Sequence, residues 1–252
     1  MIHLTRRHLL ALTAAAVLLP SAALAQDAQA ILRAAFDNWR ADSSHAVAEM
    51  TIRGSSGTRS LTMENWTQGS DKALVRFIAP PRDAGNATLQ NGRRTYVFNP
   101  KLNQVITLPA SAMQQSWMGS DFSYNDLSKT EKIITDYTHR LLATEHSGGH
   151  AVYVIEAIPK RGKPIVWGKQ IVRVRDDYVL MGQQFYDQTG ALVREMVTDR
   201  VGTLGGRPYP VRLTMRSVDK PGQFTRITTQ SAEFGVAIPG YMFTRSNLQN
   251  PR

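Results

Sequence analysis

The residues best able to do chemistry lie in the stretch WMGSDFSYNDL, residues 117–127, which holds the carboxylates Asp121 and Asp126. Two nearby carboxylates could act as a general acid and a general base. The alternative is that both are turn and helix-capping residues at a helix–loop junction, where aspartate is preferred. Residue type and local context favour the capping role, and the three aromatic side chains of the stretch are typical of a structural joint.

A second candidate cluster is formed by His139, His146 and His150, with Glu145 among them. Neither helical nor strand spacing directs the three rings to one point, so the sequence predicts no metal site. The chain has no G-x-S-x-G, Walker, G-x-G-x-x-G or H-E-x-x-H motif. We therefore predict no catalytic residue, no cofactor and no enzyme activity. An envelope hydrolase using Asp121 or a serine stays open as an alternative.

The elements around these residues are one helix followed by many strands. Apolar side chains at Ile31, Leu32, Ala35, Phe36 and Trp39 lie on one face of a helix that Asp27 could cap and that should end near residues 42–44. From Ala46 onward the apolar residues alternate, which predicts an antiparallel meander of about ten to twelve strands. The alternation stops at residues 109–140, where residues 110–117 and 128–137 could each form a short helix.

The amino terminus predicts export. Arg6 and Arg7 precede an apolar run that is too short for a permanent anchor, and the sequence Ala23-Leu24-Ala25 is typical of a cleavage site. We predict a signal peptide over residues 1–25 and one mature domain over residues 26–252. The two arginines also give the segment twin-arginine character, although the general secretory route is preferred. The expected location is the periplasm.

Composition limits the possible partners of the mature chain. Of the 30 basic residues, 28 remain after Arg6 and Arg7 are removed, which against 20 acidic residues gives a net charge of +8. The absence of cysteine excludes disulfides and thiol metal sites. Basic patches at residues 159–163 and at Arg173 and Arg175 could contact anionic lipid headgroups, or could simply be the solvated face of a sheet. A periplasmic location makes nucleic acid a poor partner.

The inward-facing apolar set is rich in methionine and aromatic residues, among them Met50, Met63, Phe77 and Met215. Methionine adapts its shape and is common on surfaces that accept variable apolar partners. A plain hydrophobic core would have the same composition, and composition alone favours the core.

The stretch at residues 117–127 resembles the hallmark segment of the LolA-like outer membrane lipoprotein-sorting protein family. Further pieces occur in matching order: Pro159-Lys160, Val166-Trp167-Gly168-Lys169, Tyr186-Asp187, Gly205-Gly206-Arg207, and Phe243-Thr244 with Leu248. The resemblance implies an α+β fold, namely an unclosed antiparallel β-barrel, or half-barrel, with helices covering the concave face around an apolar cavity. It also implies an arginine inside the cavity, for which Arg53 and Arg76 are guesses.

The family's role implies a carrier that binds acyl chains of a lipid or lipoprotein and ferries them toward the outer membrane. Its expected partners are the acyl chains, an inner-membrane exporter or release complex, an outer-membrane acceptor and, transiently, the membrane surface. The amphipathic helix at residues 27–42 is the expected cover, with residues 117–127 as a second flap or its joint. The expected lipid-binding residues are Ile31, Leu32, Phe36, Trp39, Met50, Ile52, Leu61, Met63, Val75, Phe77, Met113, Trp117, Phe122, Leu213 and Met215.

A second hypothesis uses the same half-barrel as a periplasmic sensor or accessory domain that binds a membrane regulator or exporter. A stoichiometric protein partner without lipid exchange would favour it over the carrier.

Overall fold

The computed structural model describes residues 21–128, 132–163 and 165–252, with side chains from residue 28 onward. Its first element is the helix α1, Ser21–Arg40, which buries Ala28, Leu32 and Phe36. Asp27 therefore lies inside the helix of the full chain, so the predicted cap at Asp27 is wrong, and the helix ends at Arg40 rather than at residues 42–44. The predicted signal peptide falls mainly on residues 1–20, which lie outside the described residues.

In the part of the chain that the structure describes, thirteen strands form one antiparallel sheet. In chain order they are β1 Ser43–Gly54, β2 Gly57–Gln68, β3 Lys72–Ala79, β4 Ala87–Asn91, β5 Arg94–Asn99, β6 Gln104–Thr107, β7 Tyr137–Ser147, β8 His150–Pro159, β9 Lys169–Arg175, β10 Leu180–Tyr186, β11 Leu192–Leu204, β12 Arg207–Ser217 and β13 Phe224–Phe234. Their order across the sheet is β6-β5-β4-β3-β2-β1-β13-β12-β11-β10-β9-β8-β7. A sheet of this many strands curls, and the unclosed half-barrel predicted from the sequence is confirmed.

The concave face holds most of the core. Alternate residues of each strand point to this face because side chains alternate along a strand, and the cross-strand pairs Met50–Leu61, Met63–Phe77 and Met196–Met215 lie on it. One apolar cluster joins α1 to β8–β12, and a second joins β1–β3 to Trp117.

The convex face of β2–β5 is covered by the carboxyl-terminal segment. Leu74, Leu89 and Tyr96 pack there against Phe243 and Leu248. Leu248 belongs to the helix α4, Arg245–Gln249. This segment closes a third apolar cluster on the side of the sheet opposite α1.

The sheet topology explains why the chain crosses the concave face. β6 and β7 are consecutive in sequence but form the two opposite edges of the sheet. Their connection contains two 3-10 turns, Ala110–Ala112 and Trp117–Gly119, then the short helices α2, Tyr124–Ser128, and α3, Lys132–Thr135. We call residues 108–128 the crossing segment.

The structure corrects parts of the predicted element pattern. The predicted helix at residues 110–117 is replaced by the two 3-10 turns, and Tyr137 begins β7 instead of ending a helix. The two strands without a sequence prediction are β4 and most of β7. Within the described residues, no helix is long and apolar enough to cross a membrane.

Candidate functional site

A cavity of about 330 Å³ lies between the concave face, α1 and the crossing segment. Apolar and aromatic side chains from all three structures form much of its wall. They include Phe36 and Trp39 of α1, Trp117, Phe122 and Leu127 of the crossing segment, and Met63, Val75, Phe185, Met196, Leu213, Met215 and Ile227 of the sheet.

The cavity opens between the crossing segment and the loop that joins β8 to β9. Gln114, Lys132 and Val166 line the cavity and are also exposed on the surface. The neighbouring lining residues Ile165 and Trp167 are partly buried in the cluster against α1. The open side of the cavity therefore lies beside the β8–β9 loop, residues 160–163 and 165–168.

Eight of the predicted lipid-binding residues line the cavity. They are Phe36, Trp39, Met63, Val75, Trp117, Phe122, Leu213 and Met215. They come from α1, the crossing segment and three strands of the sheet, β2, β3 and β12, so the fold brings together residues that are far apart in sequence. Their role in lipid binding stays a prediction.

The other seven predicted residues are packed beside the cavity instead of on its wall. Ile31 and Leu32 belong to the cluster under α1, whereas Met50, Ile52, Leu61 and Phe77 belong to the cluster of β1–β3. Met113 is buried in the crossing segment. Alternation assigned the sheet residues to the correct face, but it cannot tell at which level along a strand the core gives way to a cavity.

Sequence reasoning missed a further group of lining residues. Tyr137, Trp167, Phe185, Met196, Tyr209 and Ile227 all line the cavity. Phe185 and Met196 point inward in period-two strands that the sequence did predict, so alternation could have found them. Tyr137 could not be found in this way because the sequence predicts a helix that ends at residue 137, whereas Tyr137 is the first residue of β7.

Trp117 fixes the crossing segment onto the strands below it. Its indole Nε1 donates to Thr88 Oγ1 at 3.1 Å, and its ring lies 5.2 Å from that of Phe77. The next two residues have positive φ, 51° at Met118 and 69° at Gly119. Gly119 suits this conformation because it has no Cβ, and the turn is held by Arg59, which donates to the Met118 carbonyl.

Asp121 attaches the same segment to the other half of the sheet. Its carboxylate accepts from the hydroxyls of Thr225, at 2.8 Å, and Ser217, at 3.2 Å. Its backbone N–H donates to Thr225 Oγ1 at 2.8 Å. These contacts support a structural role for a carboxylate that the sequence presented as a possible acid or base.

Asp126 acts as a capping residue and as an ion-pair partner. It accepts from the Ser123 backbone N–H at 2.7 Å while its own N–H donates to Ser123 Oγ, the reciprocal pattern of a capping box at the start of α2. Its two oxygens also accept from Arg194 at 2.9 and 3.0 Å. The capping role predicted for this aspartate is observed.

Arg194 of β11 is a buried joint between the crossing segment and the sheet. Besides the bidentate pair with Asp126, its guanidinium donates to the Asp121 carbonyl at 2.7 Å. The group also lies 4.8 Å from the ring centre of Trp167 and 5.0 Å from that of Phe185, both of which line the cavity. Arg194 therefore couples the crossing segment to the cavity wall.

Two buried tyrosines, Tyr137 and Tyr209, line the cavity. Burial raises the pKa of Tyr137 to about 12, although a hydrogen bond with Gln170 opposes the rise. Burial likewise raises the pKa of Tyr209 to about 12 against hydrogen bonds with Trp39 and Thr229. Both hydroxyls are therefore neutral at physiological pH and can only offer neutral hydrogen bonds to an occupant.

The two guessed cavity arginines lie elsewhere. Arg53 is exposed at the end of β1, and Arg76 points to the convex face, where it donates to the carbonyls of Asn247 and Leu248. In the described part of the chain, Arg40 lines the cavity and Arg194 lies beside it.

The structure does not bring His139 and His150 to one point, as their spacing in sequence indicated. His139 is buried on the concave side, with Nε2 2.7 Å from the Ile133 carbonyl, while His150 lies 2.6 Å from Asp176 at a hairpin turn. Among the described residues, donor atoms of His150, Asp176 and Asp177 lie within 4.8 Å of one another. Asp177 is already held by Arg175 through two hydrogen bonds.

Solved structures share this fold across almost the whole domain. A DUF1329 family protein from Desulfovibrio piger is 21% identical, with a TM-score of 0.80 over 89% of this chain and 99% of the other. A domain assigned as an outer membrane lipoprotein-sorting protein from Vibrio parahaemolyticus is 24% identical, with a TM-score of 0.77 over 89% and 99%. A LolA superfamily protein from Nitrosomonas europaea is 21% identical, with a TM-score of 0.72 over 87% and 98%.

These similarities confirm the LolA-like resemblance at the level of the fold. No protein with a curated description matches the chain at a significant level. A family model described as DUF1329-like, uncharacterized protein, matches residues 69–250, from the end of β2 to the end of α4. This match covers well over half of the sequence, and the chain therefore belongs to the DUF1329-like family.

Proposed function

We propose that this protein is a periplasmic carrier. In this proposal the chain is exported, residues 1–25 are removed, and the mature domain binds the acyl chains of a lipid or lipoprotein and carries them toward the outer membrane. The observation that carries the proposal is the cavity of about 330 Å³, whose wall combines aromatic and methionine side chains from α1, the crossing segment and the sheet. The lipoprotein-sorting assignment of a structural relative supports it at the level of the fold.

A protein that carries acyl chains through water must enclose them, because exposed hydrocarbon is unfavourable in water. Each exposed acyl methylene costs about 0.8 kcal/mol, so a two-chain lipid with about thirty methylenes has a penalty of about 24 kcal/mol. A carrier must remove most of this surface from water. At ~30 Å³ for each methylene, about the volume of one water molecule, the cavity encloses roughly eleven of them. Enclosing two whole chains therefore requires the wall to move. Methionine and aromatic side chains suit the task because they present large apolar areas and adapt to chains of different shape.

Release of the cargo requires that part of the wall can move. The crossing segment is the best candidate because side-chain contacts, instead of a continuous strand ladder, attach it to the sheet. Trp117 packs on Phe77 and donates to Thr88. Asp121, Asp126 and Arg194 supply the polar contacts. Helix α1 forms the opposite wall and is held at its end by Asn38, which donates to the Pro208 carbonyl at 3.0 Å. We propose that the crossing segment lifts while α1 stays in place.

The opening of the cavity is basic, which fits transient contact with an anionic membrane surface. Lys160, Arg161 and Lys163 are exposed on the β8–β9 loop, next to the exposed apolar side chain of Val166 at the opening. Asp136 is a nearby acid and lies 3.3 Å from Lys163 Nζ. By contrast, Arg173 and Arg175 of the second predicted patch are paired with Glu145 and Asp177.

Neutralising the loop tests this contact. We expect the triple variant Lys160→Gln, Arg161→Gln, Lys163→Gln to bind phosphatidylglycerol vesicles about 100-fold more weakly, at about 1 kcal/mol per cation. Vesicle co-sedimentation measures the change. The matched control removes the same charge elsewhere, at the exposed residues Arg93, Arg94 and Lys101. Equal losses in the two triple variants would contradict a specific role for the opening.

Native mass spectrometry of the mature protein tests the carrier function itself. After incubation with vesicles of phosphatidylethanolamine and phosphatidylglycerol, we expect lipid adducts that survive transfer to the gas phase. The variant Ala46→Phe fills the cavity from β1 and should lose most of the adduct. The control Ala143→Phe places the same ring on an exposed position of β7 and should keep it.

Absence of any bound or transferable lipid in the unmodified protein would overturn the carrier proposal. A stoichiometric protein partner found under the same conditions would then favour the sensor hypothesis.

A further inference from the structure

One end of the cavity has a polar floor. The pairing register places Ser44, Thr67, Ala73, Gln90 and Thr95 side by side across five neighbouring strands, β1 to β5. All five residues line the cavity, and four of them are polar. We call Ser44, Thr67, Gln90 and Thr95 the polar row.

The polar row is buried within the protein. Ser44, Gln90 and Thr95 are 7%, 7% and 4% exposed. The hydroxyls of Ser44 and Thr67 lie 2.7 Å apart, so one hydroxyl hydrogen is used between them and the other remains able to donate. Hydrocarbon placed against hydroxyl and amide groups offers them no hydrogen bond, whereas a polar group can offer one. The row is therefore an unfavourable surface for hydrocarbon and a suitable one for a polar group.

Arg40 adds a positive charge at the same end. It is the last residue of α1, is 9% exposed and lines the cavity. Its Nη2 donates to the carbonyl of Gly69, in the turn between β2 and β3, at 3.3 Å. This turn directly follows the strand that carries Thr67, so the guanidinium is anchored beside the polar row.

Apolar side chains lie beyond this end. The level next to the polar row is mixed, with Asn65, Val75 and Thr88 on β2–β4. Farther along, the wall carries Met63 and, on the opposite half of the sheet, Met196, Leu213 and Met215, with the polar residues Gln170, Gln183 and Thr229 among them. The cavity thus has a polar, positively charged end on β1–β5, a mixed level beside it, and a larger share of apolar side chains toward Trp167 at the opening.

We infer that the polar row and Arg40 bind the anionic, oxygen-bearing head of an amphiphile, with its hydrocarbon in the apolar body of the cavity. This inference rests on the proposed carrier function and adds to it the chemical class of the cargo. A carboxylate from a fatty acid and a phosphate from a phospholipid offer the same chemistry. Both accept from an arginine and from hydroxyl donors through charge-assisted hydrogen bonds.

Pairs of probes with equal chains and different heads test the inference. Dodecanoate is compared with 1-dodecanol for the carboxylate source, and dilauroyl phosphatidate with dilauroylglycerol for the phosphate source. Tryptophan fluorescence titration measures each dissociation constant. We expect the anionic member of at least one pair to bind about tenfold more tightly, the size of one charge-assisted hydrogen bond. The pair with the larger preference identifies the source.

Substitutions then locate the head. Arg40→Gln should abolish the anionic preference without weakening the neutral probe, whereas Arg40→Lys should retain part of it. Since Arg40 also holds the Gly69 turn, the double variant Thr67→Val, Thr95→Val provides a test that leaves the arginine intact and should reduce the preference about threefold or more. Thr198→Val is the matched control, because Thr198 is buried on the same face outside the cavity wall.

The possible failures are distinguishable. If charged and neutral probes bind equally to the unmodified protein, or if all variants lose both probes in the same proportion, the head site is wrong while the carrier function stands. If no probe binds at all, the proposed function fails and the head site fails with it.

Discussion

At the scale of single residues, the side chains that looked catalytic hold the structure together. Asp121 is hydrogen-bonded to β12 and β13, and Asp126 caps α2 while pairing with Arg194. These contacts give both carboxylates a structural role in attaching the crossing segment to the sheet. The preference of aspartate for turns and caps made this role predictable, whereas the partner Arg194, 68 positions from Asp126, was not.

Removing the charge of Asp126 should destabilise the fold strongly. The side chains of Arg194 and Asp126 are only 10% and 15% exposed, so Asp126→Asn leaves a buried guanidinium without its counter-charge. We expect a loss of about 3 kcal/mol in the free energy of unfolding, measured by urea denaturation.

The comparison variant is Glu156→Gln, which makes the same carboxylate-to-amide change in a pair whose arginine, Arg140, is 69% exposed. It should cost less than about 1 kcal/mol. Equal losses in the two variants would show that Asp126 and Arg194 do not form a buried joint.

His139 should make stability depend on pH between neutral and mildly acidic conditions. Burial lowers the pKa of His139, against a hydrogen bond to the Ile133 carbonyl that raises it, and Lys160 lowers it further. The unfolded chain therefore binds a proton at higher pH, near the ordinary value of about 6.5, than the folded chain does. The contribution of neutral His139 to the free energy of unfolding is therefore fully present above pH ~6.5. It is lost as the pH falls from that value toward the lowered pKa of His139 in the folded state.

The measurement is the urea midpoint at neutral pH and below the unfolded histidine pKa, for the native chain and for His139→Gln. The native midpoint should fall on acidification, and the variant should fall less. The lowered pKa values of Asp176, Asp177 and Asp187 act in a more acidic range, below the ordinary aspartate value. An identical fall in both proteins would rule out His139 as the cause.

At the scale of elements, the alternation of apolar and polar residues predicted strands that have one buried and one exposed face. It located β1, β2 and the hairpins of β8–β13 because apolar and polar residues alternate there with few exceptions. It missed most of β7, an edge strand whose second half is exposed on both faces and therefore has no apolar alternation. Residues 110–117 of the crossing segment were predicted as a helix, but the turns found there are set by contacts with distant strands, such as that of Trp117 with Thr88.

The two faces of the sheet should respond differently to mutation. Phe243 is 2% exposed and packs on the convex face, away from the cavity. Phe243→Ala should therefore cost about 3–4 kcal/mol in stability while leaving lipid affinity unchanged in the folded protein.

Phe122→Ala is the counterpart, since Phe122 lines the cavity and is only partly buried. It should lose lipid affinity with a smaller loss of stability. Fluorescence titration and urea denaturation of both variants measure the two effects, and a loss of lipid affinity in Phe243→Ala equal to that in Phe122→Ala would contradict the separation of faces.

At the scale of the whole molecule, the sequence predicted the architecture better than the site. A meander of this length must curl, so the half-barrel followed from strand number and from the family resemblance. The cavity lies where α1, the crossing segment and the sheet leave a gap between them. The spacing of apolar residues along the chain cannot predict the position of such a gap. For that reason Met50, Leu61 and Phe77 were assigned to the cavity although they are packed core, and Trp167 and Phe185 were missed.

The central claim is that hydrocarbon occupies this cavity, and contact quenching by brominated acyl chains tests it most directly. Trp39, Trp117 and Trp167 line the cavity, so variants that keep only Trp117 or only Trp167, with the other tryptophans changed to phenylalanine, report on its two sides. With saturating phosphatidylglycerol, we predict that bromine on the acyl chain quenches both variants and that the unbrominated lipid quenches neither. Equal emission with brominated and unbrominated lipid in both variants would contradict the claim.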